Sequence, residues 1–285
     1  MINYINHVSR MKGRQLLVAR ALLMLSALFS LCNVSYASPI KTTVELPLQG
    51  ITLEYQTNVR LLRVLDDANA SSNANVTIGY FPLSAQLFDK THTQAIETSE
   101  SIEAKKRNVF NQLEAFAAEE PEANLVRQQL ASFQYLNRVF IELDRNAVIS
   151  QSDKNPLLVS SSRTNKPSDS QTQAFSLYLP QRPTSIQLMG AIKESVTINL
   201  IEHGTLNDYL DALPNGFIGE SADKSVAYVV QPDGVVQIIQ YAYWNEQPVY
   251  LAPGAIVFMA FYSLPSEYST LNQDIVDLLR HKVGL

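Results

Sequence analysis

Apolar residues recur at two different periods along this chain, and where the period changes limits what it can fold into. From Lys41 to Tyr55, Val44, Leu46 and Leu48 hold one parity and Ile51, Leu53 and Tyr55 another, joined through Gln49 and Gly50. That alternation predicts strand, turn, strand. Between Glu97 and Leu136 the spacing becomes helical: Ile102, Val109, Leu113 and Phe116 share a face, with Glu100, Glu103 and Lys106 left to solvent. Pro121 cannot sit mid-helix without losing an amide bond, but it can open a second helix. Leu125, Val126, Gln129, Leu130 and Phe133 give that second helix its own apolar stripe. An antiparallel helical hairpin inserted in, or laid against, a small sheet is the expected arrangement; a short coiled coil is the alternative.

Around the hairpin the signals are shorter. Asn58 to Leu65 reads as a helix with Leu61, Leu62 and Leu65 inward, Asp66 to Asn75 as a loop, and Val76 to Phe81 as a strand ended by Pro82. A strand is expected at Val139 to Leu143. The polar run from Ser150 to Thr172 reads as a long loop, and the stretch around Phe175, Leu177 and Leu179 as a returning strand before the stiff Pro180 and Pro183.

Beyond Pro183 the grammar is clearer. Ile186 and Leu188 alternate up to Gly190 and Ala191, and Val196, Ile198 and Leu200 form a partner strand. Thr205 followed by Asp208 is a helix-start signature, ahead of a stripe of Leu206, Tyr209, Leu210 and Leu213 stopped by Pro214, Asn215 and Gly216. Strands follow at Ala227 to Val230, Val235 to Ile239 and Ala255 to Ala260, with turns at Pro232-Asp233-Gly234 and Pro253-Gly254. Two strands, a crossing helix and more strands is a β-grasp order. A final helix, with Ser266 as cap, carries Tyr268, Leu271, Ile275 and Leu278 on one side. That stripe suits a partner or the protein's own core equally, and the helix is too short and too charged to span a bilayer.

The N-terminus reads as an export signal. Arg10, Lys12, Arg14 and Arg20 carry no acidic company, Leu16 to Leu31 is apolar apart from Arg20, Ser26 and Ser30, and Ser35 and Ala37 are small residues before a cut after Ala37. An uncleaved anchor is the bland alternative. Cys32, the one cysteine, leaves with the signal, so no disulfide is expected. Losing those four cations from 22 Lys+Arg against 27 Asp+Glu leaves 18 against 27, a net charge of −9. This argues against a nucleic-acid partner and a polybasic membrane anchor.

Chemistry is mostly absent. His92, His203 and His281 are isolated from metal-ligand spacings, no phosphate loop or nucleophile elbow occurs, and nothing selects a carboxylate pair such as Glu202 and Asp208 for acid–base work. No catalytic residue, cofactor or metal is assigned. Two candidate binding surfaces stand out. Arg138 shares a strand face with Phe140 and Glu142, where Glu142 could orient its fork toward a carboxylate, phosphate or sugar acid; an internal brace or an exposed strand charge is the plainer alternative. Tyr241, Tyr243 and Trp244 are aromatic enough for sugar, although a regular strand puts Trp244 opposite the tyrosines, and burial against the C-terminal helix accounts for the group as well.

The run Gln181-Arg182-Pro183, the strand Ile186 to Ala191, Trp244-Asn245, Pro253-Gly254, the tail Leu264-Pro265 with Tyr268, Leu271, Asn272 and Ile275, and the earlier Asn155-Pro156-Leu157-Leu158 resemble, in that order, the GfcC family of capsule or exopolysaccharide biosynthesis proteins. The resemblance implies an α+β fold of two β-grasp domains similar to the periplasmic modules of the Wza polysaccharide exporter. A signal would span 1–37, a first domain 38–180 with a hairpin insertion at about 97–136, a second domain 181–263, and a C-terminal amphipathic helix 264–285. It also implies a non-enzymatic periplasmic accessory protein whose partners are the polysaccharide export machinery or an acidic polysaccharide, with no membrane span in the mature chain. The family's pocket arginine would correspond to Arg138, although Asn137 and Val139 stand where the family favours glycine and proline. A carbohydrate-processing periplasmic enzyme and a purely structural envelope module are the rival readings.

Overall fold

Two five-stranded sheets with the same strand order organise the chain. The computed structural model describes residues 42–71, 79–91, 101–160, 172–247 and 249–284. The expected signal, the residues before 101 in the hairpin segment, the 76–78 part of an expected strand and residues 161–171 of the 150–172 excursion lie outside the described residues.

In the first sheet β1 (Thr42–Leu46) and β2 (Ile51–Tyr55) form an antiparallel hairpin whose turn is closed by the Gln49 amide donating to the Leu46 carbonyl at 3.1 Å. Helix α1 (Leu61–Ser71) follows, then β3 (Gln86–Asp89), β4 (Asn137–Val139) and β5 (Gln173–Tyr178). The order is β2-β1-β5-β3-β4, with β5 parallel to β1 and antiparallel to β3. Alternation places Val44, Leu46, Phe175 and Leu177 against Leu61, Val64, Leu65 and Ala68 of α1 in one core.

The second sheet repeats the plan. A hairpin of β6 (Ser185–Gly190) and β7 (Val196–Asn199) precedes α5 (Leu206–Asp211), then β8 (Ala222–Val230), β9 (Val236–Gln240) and β10 (Ile256–Phe261). The order is β7-β6-β10-β8-β9, with β10 parallel to β6 and antiparallel to β8. At the expected start of α5 the Asp208 carboxylate accepts the Thr205 N–H at 2.6 Å. Leu206 and Tyr209 then sit with Ile186, Leu188, Val229, Ile239 and Val257 on one face of the sheet.

The opposite face of this second sheet is covered by helices that precede and follow it in the sequence. Helix α2 (Ile102–Phe116), capped by Ser101, and α3 (Glu122–Ala131), opened by Pro121, form the anticipated hairpin. Instead of projecting from the first sheet, it buries Val109, Leu113, Val126 and Leu130 with Met189, Ala191, Phe258 and Ala260 of the second, together with Leu271, Ile275 and Leu278 of α6 (Leu271–Leu279). Both faces of β10 are thereby closed, and all six of its residues are buried. Polar pins fix the docking. The Glu122 carboxylate accepts from the amides of Glu220 and Ser221 and from the Ser221 hydroxyl. Buried Gln129 accepts the Gly190 N–H at 2.9 Å and donates to the Gly190 carbonyl at 3.1 Å.

Several boundaries move from the sequence reading. Helix α1 continues through Asp66 and Asp67, which meet Arg145 and Arg63, so no loop begins there. Tyr80 and Phe81 are not in a strand; the strand here is β3, past Pro82. The strand expected to reach Leu143 stops at Val139, and a short α4 (Arg145–Ser150) follows. Ser266 opens only a single 3-10 turn, and α6 starts at Leu271 without a side-chain cap. Residues 39–285 cluster as one compact unit. Among the described residues no helix is long and apolar enough to cross a membrane.

Candidate functional site

Arg138 lies on β4 opposite Phe88 and is only 8% exposed. Its Nη2 donates to the Pro232 carbonyl at 2.6 Å and, at the edge of bonding range, to the Ala85 carbonyl at 3.5 Å; Nη1 reaches the Arg280 carbonyl at 3.4 Å. One guanidinium thus touches the approach to β3, the turn between β8 and β9, and the end of α6. Burial draws its pKa down to about 10, with Asp233 opposing and Arg280 adding to that shift, so it stays charged at neutral pH.

Phe140, expected on the face of Arg138, does join it, whereas Gly234, Arg280 and His281 were not visible in the sequence. Phe140 lies under two guanidinium carbons, 4.5 Å from that of Arg280 and 5.5 Å from that of Arg138, with the His281 ring edge-on at 5.5 Å. Gly234 closes the turn at φ +89°, and a Cβ there would stand 2.5 Å from the Phe140 ring, so only glycine lets the turn approach. Its carbonyl accepts from Arg280 Nε at 2.8 Å. His281 Nδ1 stands 3.1 Å from the Arg138 amide nitrogen and 3.3 Å from the Leu136 carbonyl oxygen, so the ring ties the start of β4 to the tail after α6. Burial, then the positive charge of Lys105, pushes the His281 pKa down to about 4.

Beside this brace opens a cleft of about 640 Å³ lined by Arg138, Phe140, Pro82, Glu142, Asp144 and Asp233 among others. Glu142 does not orient Arg138 as expected. Because β4 ends at Val139, the Glu142 side chain accepts instead from the Asp144 amide at 3.0 Å and pairs with Lys154 at 3.1 Å, and the Asp144 amide holds its pKa below the usual range. Three carboxylates therefore stand in the cleft against one arginine largely engaged by carbonyls.

The other candidate residues separate. Tyr241 is buried with α5, on the face away from α6, and its hydroxyl donates to the Asp223 carbonyl; burial raises its pKa. Burial against the C-terminal helix, the alternative for this group, therefore does not apply. β9 ends at Gln240 and the chain turns, so Tyr243 and Trp244 do not alternate and are 98% and 77% exposed. Leu271, Ile275 and Leu278 are fully buried, and Tyr268 leans on Phe116 with ring centres 5.1 Å apart, so the stripe of α6 faces the protein's own core rather than a free partner surface. Asp208 caps α5 while Glu202 is exposed beside His203, so the imagined carboxylate pair does not converge. Among the described residues no group of three or more His, Cys, Asp or Glu side chains could hold a metal ion. The unread signal was the basic run Arg280-His281-Lys282 directly after an apolar helix.

Residues 40–162 match the family described as Capsule biosynthesis GfcC, N-terminal, and residues 194–284 match Capsule biosynthesis GfcC C-terminal. A relative, "Uncharacterized protein YjbG" of Escherichia coli (strain K12), is 28% identical over 162 residues, 56% of this chain and 60% of its own length.

Proposed function

Because the chain belongs to the capsule biosynthesis GfcC family, we propose that it works in the periplasm, as two β-grasp domains joined near Pro180, to assist polymer assembly or export by binding rather than by turnover. A non-enzymatic accessory role in capsule or exopolysaccharide biogenesis comes with the family itself. The observation that carries the reading is the ordered match to both family halves over most of the chain. The repeated strand order, hairpin, helix, then three strands with the last between the first and third, supports the β-grasp assignment.

Within this reading Arg138 braces the two sheets, since its shortest hydrogen bond goes to the Pro232 carbonyl of the second sheet's turn. The exposed Tyr243 and Trp244 offer aromatic faces to a sugar or a partner protein. Deleting the gene and measuring surface polymer tests the reading: output should fall, and unchanged output together with no envelope partner in pull-downs would overturn it. Complementing with Arg138→Ala assigns the arginine. A brace lowers the melting temperature before it lowers polymer, on the order of 1–3 kcal/mol for a buried carbonyl left unmet; a ligand residue loses polymer at unchanged stability.

A further inference from the structure

We propose that a second groove, separate from the Arg138 cleft, binds a carboxylated sugar unit through Arg182 and Lys282. The inference rests on the polysaccharide-handling role argued above and gives that role a site. The groove, about 550 Å³ and so of ligand size, runs between the residues leaving α3, the 182–185 linker, the exposed ends of β6 and β7, and the tail after α6. It continues the sheet face that the helical hairpin covers at Met189 and Ala191 but not at Gln187 and Thr197.

Charge distinguishes it. The chain carries more acidic than basic residues, 27 against 22, and the Arg138 cleft holds three carboxylates, yet this groove is lined by two cations and no acid. Lys282 is 6% exposed and forms no ion pair with a described residue; its Nζ donates to the Gly284 carbonyl at 3.2 Å and stands 5.0 Å from the Phe133 ring centre. An ammonium held this far from water, with no counter-charge among the described residues, costs free energy that a bound anion would offset. Burial brings its pKa down to about 8. Arg182 is exposed, stacked 5.3 Å from the centre of the Phe81 ring, and its planar fork of donors has no acidic partner among the described residues. The side chains of Gln134, Thr184 and Thr197 line the same groove and make no hydrogen bond to any described residue. Two cations suit a carboxylate, and neutral hydroxyls and amides around them suit the remaining hydroxyls of a sugar. A free phosphate would leave those neutral groups without partners.

The test is calorimetric titration of the purified full-length protein with trigalacturonate, maltotriose and hexaglutamate. Trigalacturonate should bind, more tightly at low salt, and the neutral trisaccharide should not. Arg182→Ala, at an exposed position, and Lys282→Met, which keeps the stem and removes the buried charge, should each weaken binding roughly tenfold or more without lowering the melting temperature. Absence of trigalacturonate binding, or binding that neither variant changes, overturns the proposal, as does tighter binding of hexaglutamate. The broader role fails separately. If the deletion strain loses polymer and both variants restore it fully, the groove is not used while the role stands; if the deletion has no polymer defect, the role itself is wrong.

Discussion

At Gly190 the backbone of β6 sits at φ +112°, and a Cβ would stand 2.3 Å from the Met259 carbonyl oxygen on β10. No flexible side-chain end can yield there, since the nearest atoms are backbone, and the Gln129 amide is fixed on the same residue. Gly190→Ala should therefore destabilise by on the order of 3 kcal/mol, read as a lower urea midpoint at unchanged slope. His281 carries a pH signature. Its folded pKa of about 4 lies below the ordinary 6.5, so the unfolded chain binds more protons between those values. Its contribution is full above about pH 6.5 and is lost as pH falls toward 4, on the order of 2 kcal/mol. His281→Asn should flatten that part of the stability profile relative to the parent protein; parallel profiles would show that the ring titrates normally.

Among the elements, α6 distinguishes packing from recruitment. Leu271 and Ile275 are fully buried between α2 and the second sheet, so replacing both with aspartate combines two cavities with two desolvated charges. A loss of roughly 4 kcal/mol or more is expected, seen as a collapsed thermal transition by circular dichroism; an unchanged melt would mean the helix docks elsewhere. This helix, the hairpin and the edge strands β7 and β9 were legible because each keeps a wetter side, which gives a period, whereas β10, buried on both faces, was legible as an unbroken apolar run after the Pro253-Gly254 turn. β3 was not, because all four of its residues are buried and polar Gln86 and Asp89 stand at its ends, so no alternation marks it. Helix α1 was shortened on paper because Asp66 and Asp67 looked like a break, whereas they are its ion-pairing side. The site was the least legible part. Arg138 was conspicuous, but its carbonyl partners lie 53, 94 and 142 residues away, and no local pattern encodes such a meeting.

For the whole molecule, the hairpin decides how stability is shared. Chain that leaves the first sheet after β3 covers the second sheet before returning to β4, and the tail binds both: the Val283 amide donates to the Gln134 carbonyl at 2.9 Å and the Gly284 amide to Gln86 Oε1 at 2.9 Å. The two sheets should unfold in a single transition, with intrinsic fluorescence from Trp244 and far-ultraviolet dichroism coincident in urea. A fragment beginning at Gln181 should expose Met189, Phe258 and Ala260 and aggregate, and should regain solubility when residues 101–136 are supplied in the same chain. Two separated transitions would contradict this.

The same cross-docking sets an order of events in time. Residues 102–131 are synthesised well before β6, β8 and β10, so Val109, Leu113, Val126 and Leu130 emerge with their intended cover still unmade. The nascent chain passes through an interval in which a finished apolar stripe faces solvent, and the contacts that hide it are long-range and slow to form. Any escort that keeps this protein from aggregating as it emerges has its binding window there, closing when β10 arrives.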